Sequence, residues 1–111
     1  MEKIELNNKN YADFVDLAID TIGGKWRVSI IWSLKEGGKR FVELRNSLNK
    51  ITDKMLTQQL RELEKAELIT RKVYPQVPPK VEYSLTLLGK SLLPVIEMLE
   101  EWGIQYHSVF K

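Results

Sequence analysis

The stretch FVELRNSLNKITDKMLTQQLRELEKA, residues 41–66, decides the fold. Apolar residues three to four positions apart predict a short first helix whose inward face holds Phe41, Leu44 and Leu48. Residues 49–51 then form a turn of the length found between the helices of a helix-turn-helix. Thr52 begins the second helix, because its hydroxyl can accept from free backbone N–H groups in the first turn. The stretch therefore predicts a helix-turn-helix.

The second helix of this pair, residues 52–66, has two distinct faces. At about 100° per residue, Leu56, Leu60 and Leu63 lie within a narrow arc that faces the core. The opposite side collects Lys54, Thr57, Gln58, Arg61 and Lys65, whose chemical groups contact base edges and phosphates in nucleic-acid complexes. Glu62 and Glu64 fall outside this stripe, whereas an ordinary solvated helix more often interleaves acid and base for pairing four residues apart. A plain solvated face remains the alternative.

Residues 68–85, LITRKVYPQVPPKVEYSL, predict a β-hairpin. The first run places Ile69, Arg71 and Val73 on one side, and strict alternation in the second predicts that Val81, Tyr83 and Leu85 are buried. The segment between the runs is too rich in proline to pair as a strand. We expect a stiff projecting loop with Lys80 near its base, able to reach phosphates or the minor groove. A hairpin that only closes the core is the alternative, and the two are compatible.

Three further helices are expected. Residues 10–22 form the first, which a Gly-Gly pair ends. Residues 25–35 form the second, and it should lie at the centre of the core because it has little polar face. A long last helix over residues 86–107 is capped by Thr86 and bent at Pro94, which lacks a backbone donor.

The two ends of the chain predict a homodimer interface. The last helix carries more apolar surface than one edge of a small domain can usually cover, and the first helix is similarly apolar. We expect the contact to be built from Phe14, Leu17, Leu92, Val95, Ile96, Leu99 and Trp102. The alternative is a terminal helix that folds back over its own domain.

Length and composition exclude several classes of protein. A chain of 111 residues is long enough for one domain with a core and too short for two. The absence of Cys excludes disulfides, thiol nucleophiles and Cys-ligated zinc, and no metal or cofactor is expected. The single His, His107, lies near the C-terminus, which disfavours catalysis. No apolar run approaches a membrane span of roughly 18 residues, and the polar start is not a secretory signal, so we expect a cytoplasmic protein without a membrane partner.

Charge is distributed unevenly along the chain. Residues 21–94 hold 14 Lys or Arg against 7 Asp or Glu, whereas the two ends together hold 3 basic against 8 acidic residues. A basic middle with acidic flanks is typical of a polyanion-binding module joined to a separate assembly surface. Uneven partition by chance is the alternative in so short a chain.

Several linked motifs recur in the order found in one family. They are Gly23-Gly24-Lys25-Trp26, Arg40-Phe41-x-Glu43-Leu44, Leu56-Thr57-x-x-Leu60-Arg61-Glu62-Leu63-Glu64, Val81-Glu82-Tyr83-Ser84-Leu85-Thr86-x-x-Gly89 and Trp102-Gly103. Over residues 13–103 the chain closely resembles the HxlR family of bacterial winged-helix transcription regulators, which are similar to the MarR type. The resemblance implies a mainly α fold with a small β-hairpin, α+β, in one domain over residues 1–111. It also implies a homodimer on an inverted-repeat operator, with helix 52–66 in the major groove of double-stranded DNA and hairpin 68–85 as the wing.

Within this picture each polar residue receives a role. Thr57, Gln58 and Arg61 are expected to read base edges. The phosphate contacts are expected from Lys54, Lys65 and Lys80, with Lys39 and Arg40 adding to them, although Arg40 could instead pair with an acid of the fold. A winged helix used only for contact with another protein is the alternative function, since fold does not dictate function.

The inducing signal is not evident from the sequence. Many members of the family sense electrophiles or oxidants through a Cys ten positions before the first Gly of the Gly-Gly-Lys-Trp motif, where this chain has Asp13. Thiol-based sensing at that position is therefore out of reach. A small-molecule effector held between apolar dimer helices stays open as a further partner.

Overall fold

A computed structural model describes residues 3–111. In this part of the chain, six helices accompany two antiparallel two-stranded sheets. The elements are β1 (Ile4–Leu6), β2 (Lys9–Tyr11), α1 (Phe14–Ile22), α2 (Lys25–Ser33), α3 (Phe41–Ser47), α4 (Asp53–Lys65), β3 (Ile69–Tyr74), β4 (Lys80–Leu85), α5 (Leu87–Lys90) and α6 (Leu93–Val109). A helix-turn-helix, α3–α4, is followed by a hairpin, β3–β4, and the predicted α+β class is confirmed.

The N-terminal segment differs from its prediction. The first helix does not begin at residue 10, because β1 and β2 form a small hairpin before it. Asn7 and Asn8 both take positive φ, 52° and 65°, as the two central residues of a tight hairpin turn require. Helix α1 begins only at Phe14, where the Asp13 carboxylate caps it by accepting from the Asp16 N–H at 2.8 Å.

The core forms around α2, as its apolar sequence predicts. Ile30 and Ile31 are fully buried, and Trp26 and Trp32 pack against the core from its edges. The inward residues of α3 and α4 complete the centre, and the largest fully buried side chains are Ile30, Ile31, Leu34, Leu44, Leu56, Leu60, Leu63 and Ile69. The arc of leucines predicted for α4 is therefore its buried face.

The turn between α3 and α4 fixes their relative position. Lys50 takes a positive φ of 69° in the turn, and the Thr52 hydroxyl accepts from the Met55 N–H at 3.1 Å, so the predicted N-cap of α4 is confirmed. An Arg45 Nη1 atom also donates to both carboxylate oxygens of Asp53 at 3.2 Å. This ion pair joins α3 to the first turn of α4.

The wing is the β3–β4 hairpin, paired from Ile69↔Leu85 to Tyr74↔Lys80. Lys39 extends it, because its N–H and C=O bond to the backbone of Tyr83 at 2.9 and 2.8 Å. The prediction of three buried residues on the second strand is only partly right. Leu85 is buried, whereas Val81 and Tyr83 keep part of their surface exposed. Only the base of the hairpin covers the core. The alternation of apolar and polar residues continues along β4 beyond this base, so it predicts burial at positions that the core does not reach.

The prediction of a single bent last helix is wrong. Thr86 caps the short helix α5 by accepting from the Gly89 N–H at 2.9 Å, and α6 is a separate helix. Pro94 does not bend this second helix; it lies in the first turn, where no backbone donor is needed. Gly89 is buried against the carbonyl oxygen of Leu68, which a Cβ atom would overlap, so α5 lies close against the wing.

Candidate nucleic-acid interface

The outward face of α4 is open to solvent. Lys54, Gln58, Arg61 and Lys65 are exposed, and Thr57 is half-buried beside them. Together with Asp53 and Glu62 these side chains line one shallow depression on the surface. The five residues that the sequence places on this stripe therefore form one continuous polar surface, opposite the leucines of the core.

The cations of this face keep their charge largely uncompensated. Within residues 3–111, neither Lys54 nor Arg61 belongs to an ion pair. The two acids that share the depression have other partners, since Asp53 pairs with Arg45 and Glu62 with Lys65. Lys65 lies 3.7 Å from Glu62, but both side chains are well exposed, so this pair contributes little and can be exchanged for a phosphate. The face is suited to an anionic partner.

Lys80 is more restrained than the sequence suggests. Its Nζ lies 3.8 Å from a carboxylate oxygen of Glu82 and 4.7 Å from the centre of the Tyr74 ring, and only 29% of its side chain is exposed. A cation held between an acid and an aromatic face must leave both partners to reach a phosphate. Lys80 does lie near the base of the loop, as predicted.

Lys39 and Arg40 lie where the wing meets α3. The backbone of Lys39 pairs with β4, and the Arg40 N–H donates to the Glu43 carboxylate at 2.8 Å, which caps the start of α3. The Arg40 side chain is exposed and takes no part in the ion pairs found in the described part of the chain. The alternative in which it pairs with an internal acid does not hold there.

Two further cations of the wing were not predicted as contacts to DNA. Arg71 and Lys72 are exposed on β3. Burial raises the pKa of the Tyr83 phenol, and the positive charges of Arg71 and Arg61 offset part of that rise. Arg71 lies directly opposite Tyr83 in the register of the hairpin. The sequence pattern places Arg71 in one row with Ile69 and Val73, and that pattern alone does not mark it as a candidate contact.

The residues predicted for a dimer contact divide into three groups. Phe14, Val95, Leu99 and Trp102 are substantially exposed, whereas Leu17 and Leu92 are half-buried. Ile96 is only 6% exposed and belongs to the core of its own chain, so its side chain is not available to a partner. The helical spacing of apolar residues in α6 does not distinguish a position that faces the core from one that faces a partner. The predicted dimer set therefore contains Ile96 although it belongs to the core.

Trp102 begins an aromatic row along α6 and its C-cap, of which the sequence prediction named Trp102 alone. The Trp102 and Tyr106 rings stack with centroids 5.0 Å apart, and Tyr106 and Phe110 follow at the same spacing. All three rings are more than half exposed. No helix among residues 3–111 has the length and apolar character needed to cross a membrane.

A helix-turn-helix followed by a two-stranded wing, with a cationic and amide-rich outward face, defines a winged-helix DNA-binding protein. Residues 21–110 match the family described as HxlR-like helix-turn-helix, and the chain belongs to this family. The resemblance seen in its motifs is thereby confirmed.

Individual relatives agree with this assignment. The chain is similar to an uncharacterized HTH-type transcriptional regulator of Methanothermobacter thermautotrophicus, at 47% identity over 104 residues, 94% of this chain and 79% of the relative. It is 53% identical over 92 residues to the uncharacterized HTH-type transcriptional regulator YdeP of Bacillus subtilis, covering 83% and 72% of the two chains. The structure matches that of the redox regulator HypR in its reduced form with a TM-score of 0.83 at 46% identity, over 88% of this chain and 97% of the other. The protein is a DNA-binding transcription regulator and not an enzyme.

Proposed function

We propose that the protein acts as a homodimer that reads an inverted-repeat operator through α4. The observation that carries the proposal is the outward face of α4, on which exposed cations flank hydroxyl and amide groups. Two of these cations, Lys54 and Arg61, belong to no ion pair within residues 3–111. In a two-fold dimer each protomer would place one such helix in the major groove, with half-sites about one helical turn, roughly 34 Å, or a multiple of it apart.

The residues of α4 divide into two tasks. Thr57, Gln58 and Arg61 lie along the middle of the face and carry the groups that distinguish bases, with Arg61 suited to a bidentate bond to guanine. Lys54 and Lys65 lie at the two ends of the helix, where a helix in the groove passes the phosphate backbone. Their contacts would fix the register of the helix without reading sequence.

The wing would add contacts to the backbone of the flanking DNA. Arg71 and Lys72 support this proposal because both side chains are exposed on β3. Lys39 and Arg40 stay proposed as backbone contacts. Lys80 stays proposed as well, with a smaller contribution than its position in the sequence suggests, because it is held by Glu82.

The dimer would form through the exposed apolar faces of α1 and α6. Phe14, Val95, Leu99 and Trp102 support this contact, and so do Tyr106 and Phe110, which continue the same exposed surface. Ile96 is withdrawn from the set. A site for a small apolar effector between these helices, and a cytoplasmic location, stay predictions of the sequence.

The operator should be obtained first, by selecting duplexes that the purified protein retains from a genomic library of its source and sequencing them. Arg61→Ala should then lose about 1–3 kcal/mol of affinity for the selected duplex and lose preference at one base position. Lys65→Ala is the matched control. It should weaken binding to all duplexes alike and lower the slope of log K against log salt by about 0.9. Binding of both variants like the parent at every salt concentration would show that α4 is not the reading surface.

A further inference from the structure

The guanidinium of Arg27 joins two helices that are not neighbours in the sequence. Its Nη1 lies 3.1 Å from the carbonyl oxygen of Thr21 and 3.4 Å from that of Asp20, both in the last turn of α1. Its Nε donates to the side-chain oxygen of Gln59 on α4 at 3.2 Å. A single planar group on α2 thus holds the end of α1 and the flank of the recognition helix together.

Gln59 lies on the flank of α4, where a bond can oppose rotation of this helix about its own axis. It lies between the buried leucines, such as Leu60, and the outward face that begins at Gln58. A bond at this flank adds a directional restraint on rotation of α4 about its own axis, because a hydrogen bond weakens as its angle departs from linear. At an outer helix radius of about 5–6 Å, a rotation of about 10° displaces side-chain atoms by about 1 Å. A displacement of this size is enough to spoil a bidentate bond to a base edge.

The last turn of α1 is itself held from its other side. The Tyr11 hydroxyl donates to a carboxylate oxygen of Asp20 at 2.7 Å, and the Lys9 ammonium lies 3.5 Å from the same oxygen. The N-terminal hairpin therefore grips the side chain of Asp20 while Arg27 bonds to its backbone carbonyl. Arg27 of α2 therefore connects the position of α1 to that of α4.

We infer that Arg27 is a positioning residue, which sets the orientation of α4 from the placement of α1 and thereby sets the selectivity for operator over other DNA. The inference rests on the proposed function, in which α4 reads the operator. Arg27 needs no contact with DNA in this role. Its loss leaves the phosphate-binding cations in place and blurs only the contacts that depend on exact helix orientation.

A double-mutant cycle tests the inference in the full-length protein. Arg27→Met and Gln59→Met remove the donor and the acceptor while keeping comparable side-chain length. Affinity is measured by fluorescence anisotropy for the selected operator duplex and for a scrambled duplex of the same length and composition. Each single variant should reduce the ratio of the two affinities by about fivefold, the effect of one hydrogen bond. The double variant should reduce it no further than the larger single loss, because the two side chains act as one unit.

Three results would overturn the inference. The first is a ratio equal to that of the parent, which equal losses on the two duplexes would also give. The second is losses that multiply in the double variant, and the third is a salt slope lower by about 1, which would mean that Arg27 contacts a phosphate. Arg27→Lys keeps the charge but cannot span both partners, so it should lose selectivity as Arg27→Met does, and parent-like behaviour would also overturn the inference. The ratio is measured within one preparation, so a reduced folded fraction cancels from it. Arg61→Ala distinguishes failure of this inference from failure of the proposed function. If Arg61→Ala loses operator affinity while the Arg27 variants keep the ratio of the parent, the inference fails and the proposed function stands.

Discussion

Trp102 offers the sharpest test of the proposed dimer. Its side chain is 61% exposed in the single chain, on the same side of α6 as Val95 and Leu99 and stacked on Tyr106. Replacing an exposed side chain seldom changes the stability of a monomer by more than about 0.5 kcal/mol. If this surface is covered by a second copy, Trp102→Ala should instead weaken dimerisation strongly.

The size of the effect follows from the exposed area. A Trp side chain offers up to about 250 Å², so an exposed fraction of 61% leaves about 150 Å² for a partner to cover. At about 25 cal/mol per Å², complete burial stabilises the contact by at most about 4 kcal/mol for each copy. A two-fold interface contains the residue twice. Even half of that value in each protomer weakens the dimer by about 4 kcal/mol, roughly a 1,000-fold rise in its dissociation constant.

Ile104→Ala is the matched control. Ile104 is 64% exposed, as much as Trp102, but two residues of helix place it about 160° away around α6, on the side of Glu97 and Glu101. Sedimentation velocity over a series of protein concentrations should show a dimer for the parent and for Ile104→Ala. Trp102→Ala should dissociate to monomer at concentrations where both remain dimeric.

The reasoning is refuted if Trp102→Ala stays dimeric over the whole concentration range in which the control does. It is equally refuted if the two variants dissociate alike, because the contact would then not depend on the side of α6 that the structure leaves apolar. Urea unfolding of each variant at a fixed, low concentration distinguishes loss of the dimer from loss of the fold.

Three further predictions concern the fold that positions α4. Leu60→Ala, at a site 1% exposed, should lower the free energy of unfolding by about 2–5 kcal/mol, read from the urea midpoint at unchanged slope. Gly89→Ala would press a methyl group against the Leu68 carbonyl, so it should cost about 1–3 kcal/mol in the same assay. The Tyr11 hydroxyl lowers the pKa of the Asp20 carboxyl, so Tyr11→Phe should raise that pKa in an NMR titration. A lowered pKa stabilises the fold above the ordinary pKa of an Asp carboxyl, about 3.9, and the gain is lost as the pH falls through the lowered pKa. The parent should therefore lose more stability than Tyr11→Phe on acidification below about pH 5.

The helix-turn-helix could be predicted closely because several local signals agree. Thr52 caps α4, the leucines follow the helical period, and the turn before them has the expected length, so the observed helix matches the prediction within a residue at each end. The N-terminal hairpin was missed because its strands have three residues each, too few for alternation to be recognised. Asn7-Asn8 is the signal that the sequence offers for this turn, and the prediction did not use it.

The candidate site was predictable where it depends on one helix and not where it depends on several elements. The α4 stripe follows from periodicity alone. The burial of Ile96 depends on tertiary contacts, which a single-residue pattern does not contain. Arg27 is the clearest case, since its partner Gln59 lies 32 residues away. The pairing of Lys80 with Glu82 is different, because the two residues lie two positions apart on β4 and alternation along the strand places them on one face.

Helix α1 connects the proposed dimer surface to the proposed reading surface. Its first residue, Phe14, is 73% exposed and points away from the core, whereas carbonyl groups in its last turn bond to Arg27. Nine residues of helix span only about 13 Å and behave as a rigid rod, so a partner or ligand that tilts one end must move the other. Displacement of that end breaks the bonds to Arg27 or turns α4 with them. If this connection operates, the selectivity ratio of the parent should change when Phe14 is replaced by Ala, and that change should vanish in the Arg27→Met background.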